Sequence, residues 1–114
     1  MRTRYTGMWQ QYFLLFCLFL WWRVIEAGTC DCVNVKIAKS GISESMEIVR
    51  VGRNHGLKLM IGCMTETMVG LSAAIYCAGG SAVFDYIDVD SVHLLHHRNQ
   101  YRNIIIEGPR FVIG

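Results

Sequence analysis

The feature that most constrains this chain is an apolar run that stops at a glycine and turns polar at once. It is Leu57-Lys58-Leu59-Met60-Ile61-Gly62, followed by Cys63-Met64-Thr65-Glu66-Thr67. A helical pattern then runs from about Thr67 to Ala78. A buried parallel strand reads this way when it delivers a loop and then a helix at its carboxyl end. The same grammar occurs upstream at Val33–Lys39 and begins again downstream at Tyr86–Asp90. In α/β proteins the carboxyl ends of such strands are where ligands bind. A function should therefore sit at the ends of these strands.

At 114 residues there is room for one domain with a modest core. Formal net charge is +2 and neither sign forms a block. There is no basic stripe with interleaved aromatics, which argues against a nucleic-acid partner. The five cysteines, Cys17, Cys30, Cys32, Cys63 and Cys77, do not have the spacing of a disulfide framework. Cys30-Asp31-Cys32 lacks the second pair a zinc site would need, so ordinary free thiols are expected.

Residues 1–29 differ from the rest and are set apart as a hydrophobic leader, with the domain proper over 30–114. Arg2 and Arg4 precede an apolar run from Tyr12 to Trp22, which Arg23 closes. Such a run rises only about 16 Å as a helix, too little to span a bilayer. A basic flank and a short apolar run outline a secretory signal, although the residues around Ala27 and Gly28 make a weak cleavage site. A stray segment joined to an unrelated domain fits equally well. Localisation follows that choice: secreted if the segment is a signal, otherwise cytoplasmic or organellar. Only a retained hydrophobic segment would bring the chain to a membrane.

From Cys32 onward Val33–Ala38 reads as a strand apolar on both faces, as in a parallel sheet covered on both sides. Ser43 is the expected N-cap of the next helix, with Glu44 and Glu47 in its first turn. Ile42, Met46, Val49 and Arg53 follow a 3–4 spacing, widened by Ile48 and Val51, and Gly56 is the left-handed terminator. The second helix carries a stripe of Met68, Leu71, Ala74, Ile75 and Ala78 and should end at Gly79-Gly80. The third strand is placed at Tyr86–Val89. The order is β-α-β-α-β with right-handed crossovers. Further on, Ile104–Ile106 and Phe111–Ile113 flank Gly108-Pro109 as two short strands at a turn. His93, His96 and His97 have helical metal-ligand spacing but no fourth ligand, so a solvated loop is expected.

These pieces together resemble the C-terminal region of the enolase superfamily, in particular its dipeptide epimerases. Asn34-Val35-Lys36-Ile37-Ala38-Lys39-Ser40-Gly41 resembles the sixth barrel strand of that family, His55–Thr67 the seventh strand and loop, and Ile87-Asp88-Val89-Asp90 the eighth strand with its Asp-x-Asp. The implied fold is α/β: a partial TIM-type (β/α) barrel comprising its last three strands. The implied chemistry is removal and return of a proton alpha to a carboxylate, the anion being stabilised by magnesium. By this resemblance Lys36 is the catalytic lysine of one face, and Lys39 is a neighbour or a surface charge. Asp88 and Asp90, at i and i+2 on a strand, would hold the substrate's α-ammonium. Cys63 would line the pocket, and Glu66 would cap the following helix or support the site from behind.

The resemblance also says what to look for elsewhere. In the family the magnesium carboxylates come from the third to fifth strands and a second lysine from the second strand, none of which is in this sequence. Mg2+ is thus expected for the full-length family, with its ligands outside these residues, and a dipeptide or similar carboxylate as substrate. Where the family has Gly-Pro after Asp-x-Asp, this chain has Ser91-Val92. The isolated chain is expected to be inactive and to associate through its open sheet edges. Alternatives are cycloisomerase or o-succinylbenzoate-synthase-like chemistry in the same superfamily, a non-catalytic secreted or membrane-associated binding protein, and an enzyme half completed by another polypeptide.

Overall fold

The computed structural model describes residues 20–96, 100–101 and 103–114. It divides into two compact units, Met1–Asp31 and Cys32–Gly114. In the first, residues 20–26 are helical and end in a turn where Gly28 takes φ +62°. Leu20, Trp22 and Val24 are exposed there. The rest of the expected leader lies outside the described residues. Among the described residues no helix is long and apolar enough to cross a membrane.

In the second unit the order is β1 (Cys32–Lys36), α1 (Ile37–Asn54), β2 (Lys58–Gly62), α2 (Met68–Ser81), β3 (Tyr86–Asp88), a 3-10 turn (Asp90–Leu94), β4 (Gln100–Tyr101), β5 (Ile104–Glu107) and β6 (Arg110–Ile113). β1, β2 and β3 form a parallel sheet in sequence order. This is the expected βαβαβ unit. β4, β5 and β6 form a second, antiparallel sheet, with β5 and β6 meeting across Gly108-Pro109 as anticipated. Gly108 supplies the positive φ of that turn, +59°. The sequence pattern did not reveal β4.

β1 departs from the expectation of two apolar faces. Val33 and Val35 are buried, whereas Cys32 and Asn34 are exposed and Lys36 is half-buried. Their in-register neighbours Leu59 and Ile61 join the buried side. The helices cover that side alone. The other face, carrying Asn34, Lys36, Lys58, Tyr86 and Asp88, is open, and that is why polar residues alternate into β1.

α1 begins directly after the strand, and Ser43 lies inside it rather than at its start. A kink at Gly41 (φ +78°, ψ 174°) breaks it after the first turn, a conformation that suits only glycine. The hydroxyls of Ser40 and Ser45 lie 2.7 Å apart across this kink. The buried residues of α1 are Ser45, Val49 and Gly52, while Ile42 is 53% exposed. Small residues are used because the helix lies close to the sheet: a Cβ at Gly52 would sit 2.9 Å from Leu59 Cδ2. Gly56 terminates α1 with φ +71°, as expected.

α2 buries Met68, Leu71, Ala74, Ile75 and Ala78, the stripe its spacing predicts. It does not stop at Gly79-Gly80 but continues to Ser81, and Ala82 takes the left-handed position at φ +51°. Gly79 has a different use, since a Cβ there would meet Ile113 Cδ1 at 2.7 Å. The glycine lets β6 approach the helix. Ile61, Ala74, Ile75, Ala78, Val89 and Ile104 pack as one cluster, so the hairpin shares the core of the sheet and α2.

At the amino end of the sheet Asp85 behaves as an extra rung. Its N–H donates to Leu59 O and its Oδ2 accepts from Leu59 N, both at 2.8 Å. Arg53 reaches from α1 to this loop, pairing with Asp85 at 3.5 Å and donating to the carbonyl of Val83.

Candidate active-site rim

Because the strands are parallel and in register, their last residues share one end and one face. Lys36 pairs with Gly62, and Gly62 with Asp88. The rim therefore presents a lysine, a bare backbone position and an aspartate, side by side. Adjacent strands lie about 4.8 Å apart, so Lys36 and Asp88 stand roughly 10 Å from each other across the glycine.

The loop after β2 is gripped from both neighbours. Lys36 Nζ donates to Cys63 O at 2.9 Å. Cys63 Sγ lies 3.9 Å from Asp90 Oδ1. Ser91 Oγ donates to Met64 O at 2.8 Å. Met64 N–H donates to Glu66 Oε1 at 2.9 Å. Glu66 thus fastens its own loop and makes no side-chain cap on α2, whose N-cap is Thr67. A Cβ on Gly70 would lie 2.5 Å from Glu66 Oε2, so the carboxylate rests on the first turn of the helix.

Asp88 and Asp90 do not share a strand face. β3 ends at Asp88, and Val89 leaves the extended region (φ −117°, ψ 35°) to bury its side chain. Asp90 opens the 3-10 turn and is brought over Cys63 instead. Both aspartates are exposed. Lys39 is exposed on the first turn of α1. His93 and His96 are exposed, and His97 lies outside the described residues.

A magnesium site needs several converging oxygen ligands. Among the described residues no three His, Cys, Asp or Glu side chains converge to hold a metal. The residues in hand do not fit magnesium by themselves. An apolar cavity of about 250 Å³ lies between α2, β3 and the hairpin, lined by Ile75, Ala78, Ile87, Val89, Phe111 and Ile113 among others. It contains none of the rim's charged groups, and the chemistry points to the rim rather than to it.

Comparison with known proteins bears on what this rim is for. The enolase C-terminal domain-like family matches residues 16–114. The chain belongs to that family. The match takes in residues 16–29, part of the stretch read as a leader. Over 89 residues, 77% of this chain, it is 40% identical to the L-Ala-D/L-Glu epimerase of Thermotoga maritima, covering 26% of that protein. The substrate-liganded L-Ala-D/L-Glu epimerase of Bacillus subtilis superposes with TM-score 0.72 at 26% identity, over 81% of this chain and 26% of the other. A dipeptide epimerase of Enterococcus faecalis, complexed with Mg and the dipeptide L-Leu-L-Tyr, superposes with TM-score 0.58 at 33% identity, over 61% of this chain and 20% of the other. The chain thus spans about a quarter of the length of these relatives. As a member of the enolase superfamily it has its sheet in the expected place, as part of the TIM-type barrel.

The candidates named from the sequence, Lys36, Cys63, Glu66, Asp88 and Asp90, lie at or beside this rim, and two further features of it were not named. One is Ser91, buried and bonded to the β2 loop. The other is Asn34, whose amide lies against Gly62. The i, i+2 relation of Asn34 to Lys36 was the available signal, hidden by reading β1 as apolar on both faces.

Proposed function

We propose that residues 32–114 supply one side of a dipeptide-epimerase site, with Lys36 moving the α-proton on one face of the substrate. What supports this reading is that Lys36 and Asp88 end their strands at one edge of the sheet, with Cys63 and Asp90 in the segments that follow, in a chain whose relatives include dipeptide epimerases. The bond from Lys36 Nζ to Cys63 O holds the amine at the rim, where it would exchange a proton with the substrate's α-carbon. Asp88 and Asp90 give the substrate's ammonium two carboxylates on the far side of Gly62. Cys63 lines the wall between them, and Glu66 and Ser91 hold the loop that carries it. Magnesium, present in the E. faecalis complex, would have to be held by residues outside those described.

The test is to exchange the matching segment of the T. maritima epimerase for residues 32–114. The chimera is then incubated with L-Ala-L-Glu and magnesium in D2O. Exchange of the α-proton is expected. A folded chimera that binds the dipeptide and exchanges nothing overturns the proposal.

A further inference from the structure

The middle of the rim has no side chain of its own, yet it is occupied. A Cβ on Gly62 would lie 2.5 Å from Asn34 Oδ1 and 3.1 Å from Asn34 Nδ2. Asn34 is two residues before Lys36 on β1, hence on the same open face. Its amide leans across onto Gly62 and becomes the central polar group between Lys36 and Asp88. It lies over the position a side chain at Gly62 would take. The side chain makes no hydrogen bond to any described residue, and Asn34 is exposed. A donor and an acceptor are therefore presented to the open face.

We propose that Asn34 binds the peptide group of the dipeptide. This rests on the reading of the rim given above. With the substrate's ammonium at Asp88 and Asp90 and the reacting α-carbon at Lys36, the peptide bond that joins the two residues crosses Gly62. A side-chain amide matches a peptide group in either orientation, because each offers one N–H and one C=O to the other. Gly62 is bare for the same reason: any side chain there would displace the amide and fill the space the peptide group needs. The contact would make the site select a dipeptide over a free amino acid.

The test uses the 15N-labelled full chain, titrated with L-Ala-L-Glu and with the E-alkene isostere that replaces its peptide group by carbon. Asn34→Ala should weaken the dipeptide about tenfold, the loss of one or two hydrogen bonds, and change the isostere by less than about twofold. Asn34→Asp, which keeps the shape and removes the donor, should also discriminate between the ligands. Asp88→Asn tests the ammonium site separately and should weaken both ligands alike. If Asp88→Asn weakens binding but Asn34→Ala affects dipeptide and isostere equally, or neither, the role of Asn34 is overturned and the rim reading stands. If no saturable binding occurs, both fall.

Discussion

Lys36 and Asp88 end neighbouring-but-one strands, and Gly62 leaves the place between them to the Asn34 amide. Charge at either side of that gap should control which end of a substrate goes where. Substituting Asp88 or Asp90 by Asn in an active chimera should raise KM for L-Ala-L-Glu about tenfold or more. An N-acetylated dipeptide, which has no ammonium, should not notice the change. Equal effects on both ligands would remove the aspartates from ammonium recognition. Away from the rim, Gly52 is a buried glycine packed against the sheet. Gly52→Val drives a branched side chain into Leu59, which is fully buried. The expected loss is about 1–3 kcal/mol of stability in a urea melt. At the surface, the Arg50 guanidinium hydrogen-bonds Glu47 and holds its carboxyl below the ordinary glutamate value. Since the folded value is the lower one, whatever this exposed pair contributes is present above the ordinary glutamate pKa and is lost as pH falls through the depressed one. An NMR titration should show the Glu47 carboxyl return to the ordinary range in Arg50→Gln.

Among the elements, the β2–α2 loop is the one whose position depends on its neighbours. Its Cys63 and Met64 carbonyls accept from Lys36 on one side and Ser91 on the other. Ser91→Ala removes the buried bond and should cost about 1 kcal/mol. It should also speed amide hydrogen exchange in residues 63–66 more than in β2 itself. Uniform acceleration throughout the unit would mean that Ser91 is merely part of the core. The elements also differ in how readily the sequence gives them away. α2 is legible because Met68, Leu71, Ala74, Ile75 and Ala78 repeat at helical spacing, and every residue of that stripe is buried, although Val69 and Tyr76 on the other face are apolar and exposed. α1 is less so. Of its buried residues Ser45, Val49 and Gly52, only Val49 belongs to the apolar spacing; a hydrophobicity pattern passes over Ser45 and Gly52 and selects Ile42, which is exposed. Gly79-Gly80 looks like a terminator, but the helix runs on to Ser81 and Gly79 gives β6 a place to pack. β4 is only Gln100–Tyr101, too short to carry a period. At the site, Lys36 and the aspartates are legible through the resemblance, whereas the bonds of Ser91 and the lean of Asn34 depend on tertiary contacts.

Among the described residues of the second unit, the helices lie on one face of the sheet, and β1 and β3 each pair with a strand on one side only. Such edges and the exposed residues Tyr86 and Ile87 favour association. Sedimentation of the purified chain should show a mass that rises with concentration, and the chain alone should exchange no dipeptide α-proton. The most direct test of the account is the stereochemistry of exchange in the chimera with the T. maritima epimerase. If, as proposed, Lys36 serves one face of the α-carbon, Lys36→Met should abolish α-proton exchange from one epimer of the dipeptide and spare it from the other. Exchange that persists equally from both epimers would contradict the role assigned to Lys36 and, with it, the function proposed for the rim.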